Sequence, residues 1–199
     1  MSTVTVHAVA SIDGYIARPD DSVGPLFDWY ENGDVAVRVP SSGYEWHVSA
    51  SSAAYLGRLI DETSCVIMGR HMFDFTNGWN GVPVIGDHVV VVTHREADEW
   101  RDRHPDAPFT FCGDIESAIA TAKDIAGDGD VVLCAGEMAG QAVAAGLVDR
   151  VAIDIVPVVF GQGKRYFGSV SDEILLADPV EVIRGDRVLH LLYPAPARV

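Results

Sequence analysis

The stretch "VVLCAGEMAGQAVAAGLVDR", residues 131–150, leads an apolar run directly into a helix of small residues. The run ends at Ala135-Gly136, with no proline or polar linker before the helix. A glycine turn that enters a helix presents N–H groups and the positive end of the helix dipole to an anion. The same small residues would also let a helix pack closely on a strand, and by themselves they do not decide between the two interpretations.

Strand-like and helix-like segments alternate around this turn. Strands are predicted for the short apolar runs at 4–10, 66–68, 88–93, 109–112 and 130–135. Helices are predicted at 49–62, 96–103 and 114–126, with Ser49 and Asp114 as N-caps, and again from about Glu137. This alternation is typical of a largely parallel sheet with helices on both faces.

The last quarter of the chain has a different pattern. Residues 150–160, "RVAIDIVPVVF", and 181–193, "EVIRGDRVLHLLY", indicate antiparallel strands, with Gly185-Asp186 in a tight turn. The length of 199 residues and a hydrophobic content of 48% suffice for one sizeable core. The sequence therefore predicts a single α/β domain over 1–199, with three α/β/α layers, a mixed, mostly parallel sheet and an antiparallel C-terminal edge.

Composition restricts the partners that this protein can have. The 29 acidic residues against 14 basic ones give a formal charge of −15, which disfavours nucleic acids and anionic membranes. No charge-free apolar segment reaches the ~20 residues of a bilayer span. The N-terminus lacks the basic start and the long apolar core of a signal peptide, so we expect a soluble, cytoplasmic protein.

Cysteines and histidines do not form recognisable metal motifs. The three cysteines are widely spaced, and Cys65 and Cys134 lie in apolar runs, which favours small core residues in a reducing compartment over a disulfide or a zinc site. The seven histidines include no closely spaced pair with a nearby carboxylate, so no metal site is predicted. A Gly-x-Ser-x-Gly elbow for serine hydrolysis is also missing.

Two further strand ends carry cations. Gly69-Arg70 follows the run at 66–68, and Thr93-His94-Arg95 closes the run at 88–93. Ligands of α/β proteins bind beyond the carboxyl ends of the strands, so these residues and Gly136 together outline a site for a cofactor with several phosphates. The alternative is that each arginine is a solvated surface residue.

Four motifs carry a resemblance to a known family: "VASIDGYIA" (9–17), "MGRHMFD" (68–74), "VVVVTHR" (89–95) and "AGLVDRVAIDIVPVVFGQGKRYF" (145–167). Their order and spacing resemble the dihydrofolate-reductase-like superfamily, in its branch related to the C-terminal reductase domain of the bacterial bifunctional riboflavin deaminase/reductase. The resemblance covers roughly residues 4–193. It implies a dihydrofolate-reductase-like fold and hydride transfer from NADPH to a C=N or C=O of a small heterocycle.

The resemblance also implies where NADPH binds. The loop after the first strand would border the nicotinamide, the two cationic strand ends would hold the 2′-phosphate and its neighbours, and the turn at Gly136 would hold the pyrophosphate and the nicotinamide side. The residues assigned to the cofactor in this way are Ala10, Asp13, Gly14, Ile16, Gly69, Arg70, His71, Met72, Thr93, His94, Arg95, Ala135, Gly136, Glu137, Met138, Ala139 and Gln141.

The substrate side is predicted in the segment 24–34, "GPLFDWYENGD", where this superfamily places a substrate-facing helix. Asp28 or Glu31 is a candidate proton donor tuned by burial against Trp29, or else a solvated residue of an acidic protein. The candidate substrate contacts are Trp29, Trp46 and Cys134. The resemblance implies an acidic residue where Cys134 stands, so a riboflavin-pathway substrate is disfavoured.

Three functions stay open on the sequence. The first is an NADPH-dependent reductase of an unidentified pteridine-like or pyrimidinone-like heterocycle. The second is a non-catalytic NADP(H)-binding or sensor protein with the same fold, and the third is the riboflavin-pathway 5-amino-6-(5-phosphoribosylamino)uracil reductase. Members of the superfamily are often homodimers, so a homodimer is expected.

Overall fold

One eight-stranded sheet organises residues 2–195, the part of the chain that the computed structural model describes. The strands are β1 (Val4–Ser11), β2 (Tyr15–Ala17), β3 (Val35–Arg38), β4 (Glu45–Val48), β5 (Thr63–Gly69), β6 (His88–Val92), β7 (Phe109–Cys112), β8 (Asp130–Cys134), β9 (Arg150–Val156), β10 (Lys164–Arg165), β11 (Glu181–Arg184) and β12 (Leu189–Pro194). The helices are α1 (Ala50–Glu62), α2 (Arg70–Thr76), α3 (Asp98–Arg103), α4 (Ile115–Ala126) and α5 (Glu137–Ala144), with 3₁₀ segments at Gly24–Glu31 and Asn77–Gly81.

The sheet has the order β11-β12-β9-β1-β8-β5-β6-β7. Neighbouring strands from β9 to β7 are parallel, and β12 and β11 close one edge antiparallel. The predicted three-layer α/β fold with an antiparallel C-terminal edge is therefore confirmed. One detail is corrected: β9 is parallel to β1, because α5 carries the chain back to the end of the sheet where β8 began, and β9 is antiparallel only to β12.

Alternating side chains of the parallel strands fill two cores, one on each face of the sheet. In β1, Val4 and Val6 pack with α4 and α5 on one face, while Val9 packs with α1 and the segment Gly24–Glu31 on the other. Farther along the second face, α2 and α3 cover β5 and β6. Both faces are thus buried, as the near-continuous apolar runs of the strands require.

Helix starts follow the predicted capping residues. The Ser49 hydroxyl accepts a hydrogen bond from the Ser52 N–H at the start of α1, and the Asp114 carboxylate accepts one from the Ser117 N–H at the start of α4, over 2.8 Å. The helix predicted at 96–103 begins only at Asp98.

None of the helices within residues 2–195 has the length and apolar character that a membrane span requires. The prediction of one domain over 1–199 and of a cytoplasmic location stays a prediction. Its range includes Met1 and residues 196–199, which lie outside the described residues.

Candidate functional site

The carboxyl ends of four neighbouring strands, β1, β8, β5 and β6, meet at one edge of the sheet. Each strand is followed there by a segment that the sequence had marked: the loop 11–14, the turn 135–136, Gly69-Arg70 and Thr93 to Arg95. Tertiary structure therefore brings all four predicted cofactor segments to the same edge. In open α/β sheets this edge is where ligands bind.

Gly136 adopts a backbone conformation that side chains rarely tolerate, with φ +118° and ψ −153°. A Cβ atom added there would meet only the Cδ1 atom of Ile16, at 3.9 Å, so the space in front of the turn is open. α5 begins at the next residue, and no side chain caps it. Its first N–H groups have no acceptor within the helix, and N–H groups of this kind can bind an anion.

Tyr166, which the sequence analysis did not single out, joins the loop after β1 to this turn. Its carbonyl oxygen accepts a hydrogen bond from the Gly136 N–H over 2.8 Å, and its own N–H donates to the Gly14 carbonyl over 3.0 Å. The buried phenol donates to the carbonyls of Val6 and Ala152, over 3.1 and 2.7 Å. Tyr166 thereby fixes the distance between the two loops that border the crevice.

Asp13 serves the loop rather than a ligand. Its carboxylate accepts hydrogen bonds from the Ser11 hydroxyl over 2.6 Å and from the backbone N–H groups of Phe160 and Gly161 over 3.1 and 2.7 Å. The hydrogen bond from Ser11 is the main cause of a pKa for Asp13 below its usual range. These bonds leave the backbone of the loop, rather than the Asp13 carboxylate, to face a cofactor.

Arg70 and Arg95 share one carboxylate, Asp74, which the sequence analysis did not identify. Arg70 Nε lies 2.7 Å from Asp74 Oδ1, and Arg95 Nη2 lies 2.8 Å from Asp74 Oδ2. Arg70 Nη1 also donates to the hydroxyl of Thr93 over 3.3 Å and to the carbonyls of Arg95 and Glu96 over 3.1 and 3.0 Å. Arg70 therefore joins the two strand ends, while Arg95, with 66% of its side chain exposed, remains accessible to an anion.

Several predicted cofactor contacts face elsewhere. The side chain of Ala139 is fully buried in the core beneath α5, so only its backbone can meet a ligand. Glu137 accepts hydrogen bonds from the hydroxyl and N–H of Ser169, over 2.6 and 3.2 Å, and so turns away from the crevice. Met138 lies below Gly69, 3.3 Å from where a Cβ atom would stand, and this contact holds α5 against the end of β5.

The outer part of the crevice is bridged by an ionic cluster. Asp21 Oδ1 lies 2.8 Å from both His71 Nε2 and Lys164 Nζ. His71 belongs to the predicted cofactor residues, and Asp21 and Lys164 are additions that the structure supplies. Gln141 is exposed, and Met72 is half-buried against the core.

The predicted substrate-facing helix is the 3₁₀ segment Gly24–Glu31. The structure contradicts the prediction that a carboxylate of this segment is a proton donor tuned by burial. Asp28 and Glu31 are exposed, and 71% of the Glu31 side chain meets solvent. Burial, which the hypothesis of a tuned proton donor required, does not act on either group. Trp29 is likewise corrected as a substrate contact, because it is only 2% exposed and packs inside the core.

An aromatic stack continues outward from Trp29. Its ring centroid lies 4.1 Å from that of Tyr30, which lies 4.5 Å from that of Trp46. Trp46 is half-buried. On the sheet, Cys134 ends β8 in register with His7 of β1, and burial raises the pKa of the Cys134 thiol to about 12. Cys134 therefore presents a neutral group to the crevice.

Two cavities flank this edge. One, of about 540 Å³, lies beside the loop 10–15 and the segment 165–176, and it contains Ala10, Asp13 and Gly14. The other, of about 440 Å³, is lined by Arg70, Asp74 and α3. Gly136 lines neither of these two cavities.

Comparisons with known proteins agree with this architecture. The family model of the RibD C-terminal domain matches residues 2–189. No curated protein sequence matches the chain significantly.

Solved structures share the fold at low sequence identity. A candidate riboflavin biosynthesis protein from Shewanella sp. PV-4 has 17% identity and a TM-score of 0.67, with 99% of this chain and 100% of that chain covered. RibD of Acinetobacter baumannii has 13% identity and a TM-score of 0.61, with 98% of this chain but only 59% of RibD covered. A pyrimidine reductase-like protein from Corynebacterium diphtheriae has 14% identity and a TM-score of 0.61, with 99% and 93% covered.

Proposed function

We propose a function from the premise that this chain belongs to the RibD C-terminal domain family: it is an NADPH-dependent reductase of a small, flat heterocycle of the pteridine or pyrimidinone class. One observation carries the proposal beyond family membership. The turn at Gly136 has a φ of +118°, and a Cβ atom added there would meet only Ile16. This turn lies between the loop after β1 and the cationic strand ends.

The residues present fit NADPH. The N-terminus of α5 and the Gly136 turn would hold the pyrophosphate, because their N–H groups and the helix dipole attract negative charge. Arg95 and Thr93 would hold the 2′-phosphate, and Gly14 and Ile16 would border the nicotinamide. When bound, NADPH supplies the hydride, and the protein supplies orientation and a dry site. Tyr166 and Asp13 keep the loop after β1 in place, where Ile16 would help to exclude water from the reacting ring.

Arg95→Ala is expected to weaken NADPH binding about tenfold and to leave NADH binding nearly unchanged. Only NADPH carries the 2′-phosphate that a guanidinium can meet with charge-assisted bonds. A larger effect is not expected, because Arg95 is exposed and the phosphate must compete with Asp74 for it. Fluorescence titration with both nucleotides measures the two dissociation constants.

Arg58→Ala is the matched control. Arg58 is an exposed, ion-paired arginine on α1, next to Glu181 of β11, far from the four strand ends. The Arg58→Ala substitution removes the same charge as Arg95→Ala. It therefore shows how much of any loss in nucleotide affinity comes from the change in net charge alone. Equal losses of NADPH and NADH affinity in Arg95→Ala would place the 2′-phosphate elsewhere.

A non-catalytic NADP(H) sensor is the second candidate, and the exposure of Asp28 and Glu31 favours it, since neither is a buried acid. Titration of NADPH fluorescence detects binding under both functions. Steady oxidation of NADPH with pteridines, pyrimidinones or quinones occurs only if the protein is an enzyme.

Riboflavin-pathway reduction is the third candidate, and we predict slow or absent turnover of the deaminated phosphoribosyl pyrimidine alongside tight NADPH binding. Cys134 is neutral, and the segment 26–48 contains one arginine, Arg38, which is paired with Glu45. An anionic substrate meets repulsion from the carboxylates of this segment. Turnover by the purified protein at ~1 per second or faster, a typical enzyme rate, would refute this prediction.

A further inference from the structure

A chain of buried polar side chains crosses the face of the sheet beneath α1. At its centre is Asp154 of β9, which is fully buried. Its Oδ1 atom lies 2.7 Å from His190 Nδ1, and its Oδ2 atom lies 3.0 Å from His7 Nε2. A carboxylate is rarely buried without partners of opposite charge, so these contacts need an explanation beyond packing.

Hydrogen bonds continue this chain beyond His190. The Ser52 hydroxyl lies 2.9 Å from His190 Nε2 and 3.2 Å from the Ser49 hydroxyl. Each of the two imidazoles has one nitrogen on Asp154, and the second nitrogen of His190 is occupied by Ser52.

The carboxylate of Asp154 is ionised at neutral pH. Burial by itself favours the neutral acid, but the charges of His7 and His190 and the hydrogen bonds from both imidazoles outweigh it and hold the pKa of Asp154 at about 2. An ionised carboxylate in turn favours a positive charge on the imidazoles that it contacts.

His7 is the most exposed member of this chain. Ser52 and His190 are each 1% exposed, whereas 13% of the His7 side chain is accessible. On β1 it lies in register with Cys134, the residue directly before the Ala135-Gly136 turn. Residues paired across parallel strands point to the same face, so His7 stands beside Cys134 at the cofactor edge, and its Nδ1 is the nitrogen not bound to Asp154.

Aromatic rings enclose the buried end of this chain. The Tyr55 ring stacks on His190 with centroids 4.2 Å apart, and the Trp29 ring lies 5.2 Å from that of His190. His7, rather than His190, is therefore the imidazole that a ligand can approach.

We propose that His7 is the catalytic acid of the reductase, with Asp154, His190 and Ser52 as positioning residues. This inference rests on the proposed function. As hydride adds to the carbon of a C=N bond and the π bond breaks, the Nδ1–H bond of His7 breaks and a new N–H bond forms on the substrate nitrogen. His7 becomes neutral, keeps its Nε2–H bond to Asp154, and is protonated again from solvent.

A first test needs no substrate. Nitrogen-15 NMR of the wild-type imidazoles is expected to show that His7 Nε2 carries a proton hydrogen-bonded to Asp154, and Asp154→Asn should remove the signature of that bond. A His7 imidazole spectrum that Asp154→Asn leaves unchanged overturns the assignment.

A second test measures catalysis with NADPH and a 7,8-dihydropteridine as the probe. His7→Gln is expected to bind NADPH like the wild type, to oxidise it about 100-fold more slowly or worse, and to lose the decline in kcat that the wild type shows as the acid deprotonates. His88→Gln is the control, since His88 lies on β6 bonded to the Thr110 hydroxyl over 2.9 Å.

The outcomes separate the two proposals. Wild-type protein that fails to bind NADPH overturns the proposed function. If it binds NADPH but leaves the dihydropteridine unreduced, the reductase and the acid are both rejected. Full activity of His7→Gln with an unchanged pH profile rejects the acid alone.

Discussion

Gly136→Val is expected to abolish NADPH binding. With NADPH at 100 times its dissociation constant, the wild type should gain about 2.7 kcal/mol, which corresponds to roughly 5–10 °C in melting temperature for a chain of this size. The variant should show no shift. A valine side chain occupies the open space in front of the turn, where the pyrophosphate would lie, and its φ of +118° cannot be kept without strain.

The same variant should also be less stable without ligand, by about 1–3 kcal/mol, because only glycine adopts the Gly136 conformation at low cost. Thermal unfolding with and without NADPH separates the two effects.

Gly127→Val supplies the matched control. Gly127 ends α4 with φ +60°, and a Cβ atom there would meet nothing within 4 Å, but it lies before β8, at the opposite end of that strand from the crevice. It should lose stability and keep the full shift with NADPH. If Gly136→Val keeps its shift as well, the phosphate site is elsewhere.

Asp154→Asn is expected to lower the free energy of unfolding by about 3–5 kcal/mol, the usual result of removing one partner of a buried ion pair. In the wild type each of the two imidazoles contacts one carboxylate oxygen of Asp154. The asparagine side chain has only one oxygen, so its NH₂ group, which cannot accept a hydrogen bond, faces one of the two imidazoles. Urea denaturation measures the change. Glu45→Gln, which breaks the exposed pair with Arg38, should cost less than about 1 kcal/mol.

Acid unfolding provides a second measurement of the same group. The pKa of Asp154 is about 2 in the folded protein against 3.8 ordinarily, so as the pH falls below about 4 the unfolded chain binds a proton that the folded chain does not. The stabilisation from Asp154 is therefore complete above that range and is lost as the pH falls towards 2. Asp154→Asn should lack this part of the acid dependence, and an unaltered profile would contradict the buried ion pair.

Much of the cofactor edge could be predicted from the sequence, because its signals are local. A glycine before a helix, as at Gly136, and cations directly after apolar runs, as at Arg70 and Arg95, each occupy a few consecutive residues. Parallel strands align their carboxyl ends, so an alternating pattern was enough to bring these residues together. The identity of the cofactor came from the resemblance to a family and not from these patterns.

The sequence by itself determined the three-layer sheet, the caps at Ser49 and Asp114 and the strand ends that form the crevice. Propensity, periodicity and turn chemistry act between near neighbours in the chain, so these features can be predicted from the sequence.

Only the tertiary structure decided which side chains meet. Asp154 is 147 residues from His7 and 36 from His190, and no local pattern indicates that strand order and register place the three side chains on one face. The same holds for Trp29, whose burial depends on how its 3₁₀ segment docks, and for Asp74, whose two arginines come from different strand ends. Charge and burial at a site depend on these long-range contacts, because each is set by what packs around the group rather than by its neighbours in sequence.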